Sequence, residues 1–340
     1  VLSLVNPPGW MSLVDQGNGA GTLGWTPTSG VSGFQEVSIQ VSDGVDAVVR
    51  TFSIFIHSAT SPVLLNEYNA VSASSFLNDG TAGADSTGGT ASDAHFGRVA
   101  GNGGDWFELV VVGDDGPGSL DMRGWTIEVA AEAGFPFAVG AVIVLSSDPY
   151  WSAVSHGTIL TFAEAGAADG GMDTTVHAVD RFADEGWGWS NFQIGDPQFF
   201  TYTDSDTNGY LLDPAQGVIS NFDITSVGTQ FVVRDGGGAI VLGPVGEGVA
   251  PILGVTSQSV WELDGDPRST VTPHDAAAAG LDESTFGRPN TWNGGAEGQD
   301  FSVFIDPYDA YAAAAGLSGD EALFGADADR DGATNGQEFA

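Results

Sequence analysis

Apolar and polar residues alternate with period two along much of this chain. Val37-Ser38-Ile39-Gln40-Val41 and Thr51-Phe52-Ser53-Ile54-Phe55-Ile56 do so cleanly, with Ser42-Asp43-Gly44 as a turn between them. Successive side chains of a strand point to opposite faces, so the pattern predicts two half-buried strands. Val63-Leu64-Leu65-Asn66-Glu67-Tyr68 predicts a further strand. The stretch from Gly103 to Val112 and the stretch from Leu120 to Ile127 predict a pair. A loop rich in Gly, Ser, Thr and Asp lies at 78–93, and a Gly/Trp-rich stretch follows at 164–217. Residues Asp309 to Gly316 are Ala-rich and helix-prone, and Ser318 with Asp320 and Glu321 reads as the capped start of a short helix.

Composition sharpens this picture. The 50 glycines and 15 prolines suit many short strands joined by turns, and 42% apolar residues suffice for real cores. Lys+Arg is 8 against Asp+Glu 45, a formal net charge of −37, with no lysine at all. Such a field repels nucleic acid and anionic membranes, so neither is expected as a direct partner. It suits a saline habitat, where salt screens the self-repulsion. Cysteine is absent, which excludes disulfides and thiol chemistry. No apolar run approaches the ~20 residues of a membrane helix. Val1 opens in strand-like sequence and Ala340 falls inside a motif, so the expectation is a piece of a longer chain.

Three resemblances follow from ordered motifs. Pro8-Gly9-Trp10-Met11-Ser12-Leu13, Gly24-Trp25-Thr26-Pro27-Thr28 and Val41-Ser42-Asp43-Gly44 are followed by an alternating strand. This order resembles the cadherin-like or immunoglobulin-like repeats of bacterial adhesins, and assigns residues 1–60 to a truncated repeat. Asn66-Glu67, Asp105-Trp106-Phe107-Glu108-Leu109, Leu120-Asp121-Met122-Arg123-Gly124-Trp125 and Gly287-Arg288-Pro289-Asn290 resemble the motifs of the lamin-tail domain. That likeness covers residues 62–292 and implies an immunoglobulin-like sandwich, here with long loops. Trp106 and Trp125 are then expected in its core. For Glu67 and Glu108 three readings stand: pairing with Arg123 or backbone amides, cation ligation, or a paired catalytic acid and base.

The third resemblance lies in residues 293–340. Residues 327–338 read Asp-Ala-Asp-Arg-Asp-Gly-Ala-Thr-Asn-Gly-Gln-Glu. In an EF-hand-type loop, oxygen ligands recur on alternate residues and end in a bidentate Glu, with a Gly at the sharp turn. Asp327, Asp329, Asp331, the Ala333 carbonyl, Asn335 and Glu338 fill those slots, and Gly332 takes the turn. Close carboxylates repel unless a cation joins them, so the loop predicts Ca2+. It resembles the type-3-repeat or dockerin-like calcium modules of secreted proteins, with the following helix missing. Asp204, Asp206, Asn208 and Gly209, with Asp213, form a second and less complete candidate, and Asp79, Asp85 and Asp93 a third.

Other chemistry is not indicated. Gly19-Ala20-Gly21-Thr22-Leu23-Gly24 matches a dinucleotide fingerprint, but sits among strands with no helix after it. His57, His95, His156, His177 and His274 lack ligand spacing. The expected fold class is mainly β: tandem immunoglobulin-like sandwiches with a short C-terminal helical calcium segment. The expected function is non-enzymatic: a secreted or cell-surface calcium-binding protein acting in adhesion, scaffolding or binding of an extracellular protein or glycan. Two alternatives stand beside it. One is a set of accessory domains of a larger secreted nuclease or phosphatase. The other is a carbohydrate-binding module with Trp187 and Trp189 as stacking platforms.

Overall fold

The computed structural model describes residues 1–17, 19–25, 33–56, 61–81, 91–113, 118–130, 140–164, 180–182, 185–194, 196–201, 222, 224–226, 228–247, 255–267, 284–292, 295–305, 315–317, 326–330 and 333–335. The chain is mainly β and divides into two compact units, Val1–Thr60 and Ser61–Ala340. Among the described residues, no helix is long and apolar enough to cross a membrane. The helix-prone residues 309–314 and 318–325 lie outside the described set.

In the first unit, Leu2–Val5, Gly33–Ser42 and Ala47–Ile56 form a three-stranded antiparallel sheet, and Met11–Asp15 pairs with Gly21–Trp25 in a hairpin. The two predicted strands are thus one hairpin of ten-residue arms, closed by Asp43, whose carboxylate accepts the amides of Val45 and Asp46. The glycine-rich stretch at 19–24 is the turn and second arm of the other hairpin. Alternation puts Val37 and Val41 on one face, yet Val37 is buried and Val41 is 48% exposed.

The second unit holds two large sheets. One has six strands in the order Asp180–Phe182, Trp187–Gln193, Thr158–Ala163, Trp106–Val111, Val63–Asn69 and Val260–Glu262. All neighbours are antiparallel except Thr158–Ala163 with Trp187–Gln193, which run parallel. The other sheet has five antiparallel strands: Phe200–Thr201, Ala141–Leu145, Thr126–Ala130, Gln230–Arg234 and Ile240–Gly246. Their inner faces share one apolar core, in which Phe107 and Tyr68 of the first sheet meet Phe231 of the second at 4.8 and 5.6 Å between ring centres. Trp125 joins this core.

Trp106 is also fully buried, but on the other side of its strand. Adjacent residues of a strand face opposite ways, so Phe107 points into the sandwich and Trp106 away from it. There it packs with Val71, Leu77, Phe96, Ala163, Val260 and Phe286 in a second, smaller core. The outer face of the six-stranded sheet is therefore covered by the segments around 70–77, 91–104 and 284–290. Apolar surface on both faces explains why Val63–Asn69 and Trp106–Val111 are buried along their whole length.

Candidate functional site: a buried carboxylate row and a C-terminal acidic loop

Asn66-Glu67 breaks the alternation of its strand. Strict period two would send one of these polar side chains into the main core. The pairing register shifts between Leu65 and Glu67, where an extra residue is accommodated in the strand. Such a bulge lets two consecutive side chains reach one face. Asn66 and Glu67 thereby both serve the outer face, while Leu65 and Tyr68 stay in the main core.

Register then lines up the acids. Glu67 pairs with Glu108 on one neighbouring strand and Glu262 on the other. Glu108 in turn pairs with Thr161, and Thr161 with Asn191. The row Glu262–Glu67–Glu108–Thr161–Asn191 crosses five strands, and no member is more than 1% exposed. Asp93, 2% exposed, joins it from the covering loop.

Three of these carboxylates hold three consecutive amides of one turn. The Thr285 amide donates to Glu67 Oε1 at 3.0 Å, the Phe286 amide to Asp93 Oδ2 at 3.1 Å, and the Gly287 amide to Glu108 Oε1 at 2.6 Å. Hydroxyls add to them: Thr285 meets Glu67 Oε2 at 2.9 Å, Thr161 donates to Glu108 at 2.7 Å, and Ser284 to Asp93 at 2.5 Å. Asn290 fastens the end of the turn. Its Nδ2 donates to the carbonyls of Asn66 and Leu263, and its Oδ1 accepts from Asn66 Nδ2. Gln299 closes the network on Asn66 Oδ1 and the Asn290 amide.

Burial, with Glu108, Glu262 and Asp93 close by, pushes the Glu67 carboxyl well above its ordinary range. Burial also raises Glu108 to about 7, opposed by the Gly287 amide, Thr161 and Asn66. Arg123 is not a partner to either acid. It forms a surface pair with Asp121 at 2.5 Å, because its position in a turn two residues after Asp121 favours that local contact. Of the readings for Glu67 and Glu108, the structure shows the backbone amides in place.

Gly287 sits at φ +75°, and a Cβ there would lie 2.4 Å from the Trp189 ring. That ring cannot easily yield, since its indole N–H donates to Thr161 at 2.8 Å and it makes edge-type contacts with Phe286 and His95. Gly287→Ala is expected to cost about 2 kcal/mol by left-handed strain and overpacking. Urea denaturation measures it. Trp187 and Trp189 do share a strand face, and both are partly exposed. The Trp187 indole N–H donates to Glu185, and Trp189 is part of the cover over the acid row.

In the C-terminal loop, Asp327, Asp329, Ala333 and Asn335 are described, while Asp331, Gly332 and Glu338 lie outside the described residues. Asn335 is fully buried, with its amide on the Ala326 carbonyl at 2.6 Å and its Oδ1 accepting the Ala328 amide at 3.3 Å. These bonds bring Asn335 beside Ala326 and Ala328. Asp327 and Asp329 are exposed, and Arg330 takes φ +63° between the acids. Asp204, Asp206, Asn208, Gly209, Asp213 and Asp85 are outside the described residues. Asp93 belongs to the buried row. Among the described residues, no group of three or more His, Cys, Asp or Glu side chains is placed to hold a metal ion.

Sequence reasoning singled out Glu67, Glu108 and the Gly287–Asn290 turn, and missed Asp93, Glu262, Ser284, Thr285 and Gln299 as their partners. The available signal was the Asn-Glu pair inside an apolar strand, which demands polar company. Comparison of the chain with protein-family models, with curated proteins and with solved structures finds no match.

Proposed function

We propose that this is a non-enzymatic, calcium-binding protein of the cell surface or exterior, whose β-sandwich serves adhesion, scaffolding or the binding of an extracellular partner. The carrying observation is the C-terminal loop. Asn335 bonds back to Ala326 and Ala328, beside the exposed Asp327 and Asp329. In this reading Ca2+ takes its oxygens from Asp327, Asp329, Asp331, the Ala333 carbonyl, Asn335 and Glu338. The high negative charge favours cation binding at an exposed loop.

A lamin-tail-like identity for residues 62–292 is part of this reading. What supports it is the meeting of Asn66-Glu67, Glu108 and Gly287–Asn290 in one network. Motifs about 180 and 220 residues apart that interlock in this way act as one structural device. The covered position of Glu67 and Glu108 favours a structural role over acid–base chemistry, which needs a substrate at the carboxyl.

Calcium titration tests the proposal. Extracellular modules bind with dissociation constants near 10⁻⁴–10⁻³ M, roughly. About tenfold excess over such a constant stabilises by about 1.4 kcal/mol, equivalent to a few degrees in melting temperature. Heat from calorimetric titration should disappear in Asp327→Ala/Asp329→Ala. No heat and no thermal shift at 10 mM Ca2+, roughly ten times the weakest of these constants, would remove calcium from the proposal.

A further inference from the structure

We infer that Glu67 is a neutral carboxylic acid in the folded protein, and that its proton latches the Ser284–Asn290 turn onto the sheet. The argument begins with counting hydrogens. Thr285 Oγ1 lies 2.9 Å from Glu67 Oε2 and 3.0 Å from Asn290 Oδ1. A threonine hydroxyl has one hydrogen and cannot donate to both. The Asn290 amide is not reversed, because its Nδ2 donates to two carbonyls, Asn66 O at 2.9 Å and Leu263 O at 3.2 Å. Its Oδ1 is therefore an acceptor facing the hydroxyl.

With a carboxylate at 67, one of the two short O···O contacts of Thr285 has no hydrogen in it. With a carboxylic acid, both are satisfied: Glu67 Oε2–H donates to Thr285 Oγ1, whose own hydrogen goes to Asn290 Oδ1. The other oxygen, Oε1, still accepts the Thr285 amide.

Position in the row gives an independent reason. Glu67 is the middle of three directly paired acids, with Glu262 on one side and Glu108 on the other. Like charges directly opposite across strands repel, and the middle group meets two such neighbours. Asp93 adds a third carboxyl from the covering loop. Basic groups on the same elements are engaged or outward. Arg98 donates to the carbonyls of Leu77 and Ala91, the His95 ring packs on Phe96, Phe286 and Trp189, and Arg288 is exposed. Glu108 differs from Glu67: its Oε1 receives Thr161 and Gly287, and its Oε2 faces Asn66 Nδ2, so it is built to accept. The first proton thus resides on Glu67, and burial raises that site further.

The latch opens as the pH rises. The unfolded chain holds this proton only below the ordinary glutamate range, near 4.5, whereas the folded chain holds it well above. Between those limits the folded state binds more protons, so folding weakens with increasing pH. Ionisation puts a second charge beside Glu108 and breaks the chain to Asn290, releasing the turn.

Infrared spectra of the whole chain in high salt, with and without Glu67→Gln, test this. Glutamine reproduces the acid: its Nε2 donates to Thr285 Oγ1 and its Oε1 accepts the Thr285 amide. The expected result is a protonated-acid C=O band at pH 7 that loses intensity in E67Q, with the remainder belonging to Glu108. Amide exchange of residues 284–290 should accelerate with pH beyond the intrinsic rate in the native protein, by up to roughly tenfold per pH unit for one linked proton. E67Q should abolish the extra acceleration, and Glu108→Gln should not. No protonated-acid band at pH 7, or one unaffected by E67Q, overturns the inference, and so does identical pH dependence of exchange in native protein and E67Q. The infrared measurement on the native chain stands even if a variant fails to fold.

Discussion

Replacing Phe107 by alanine should lower the unfolding free energy of the 61–340 unit by about 3–5 kcal/mol. The side chain is fully buried at the centre of the sandwich. Its ring stacks on Phe162 at 5.0 Å, meets Phe231 of the opposite sheet at 4.8 Å and stands edge-on to Phe222 at 5.3 Å. Truncation removes the apolar transfer energy and leaves a cavity walled by rigid aromatic rings, which collapse poorly. Against a typical total of 5–15 kcal/mol, roughly, this is a large fraction. The measurement is the urea midpoint at unchanged slope, in the transition assigned to this unit. A shift worth less than about 1 kcal/mol, below the range for a buried Phe, would show that the two sheets do not meet at Phe107.

The second large effect belongs to Asn290. Asn290→Ala should cost about 3–5 kcal/mol, because it removes four buried hydrogen bonds worth about 0.5–1.5 kcal/mol each, from groups that each keep one other partner. The groups are the carbonyls of Asn66 and Leu263, Asn66 Nδ2 and Thr285 Oγ1. All lie within a network whose asparagines and acids are almost fully buried. Asn290→Asp separates geometry from charge. It keeps the size but turns an oxygen toward two carbonyls and adds a carboxyl to the row. Its deficit should exceed that of Asn290→Ala at pH 8 and shrink at pH 5, where the added group can hold a proton. Equal deficits at both values would mean that the row tolerates another charge, against the proton inventory argued for Glu67.

Much of the architecture was legible in local pattern. Period-two alternation located the strands around Val37 and Thr51, because it needs only a difference between two faces, and apolar runs marked those at Val63 and Phe107. The second face of the Trp106 strand was not legible. Trp106 and Phe107 are both apolar, and nothing local says that one faces the sandwich and the other a small core built from distant loops. For Glu67 and Glu108 the need for partners was legible, and Arg123 was a reasonable candidate in a chain with so few cations. The structure chose amides, since Arg123 finds Asp121 two residues away at far less entropic cost.

By itself, the sequence determined that this chain is β-rich, intensely acidic and free of cysteine, and that its last residues carry a calcium-loop pattern. Those properties depend on residue identity and short spacing. Tertiary structure alone decided that Asn66 and Glu67 share a face, that Glu262, Glu67 and Glu108 stand side by side, and that amides 285–287 reach down to them. Each of these depends on strand register and a bulge set by pairing between segments more than 40 residues apart, so no local window of residues can encode it.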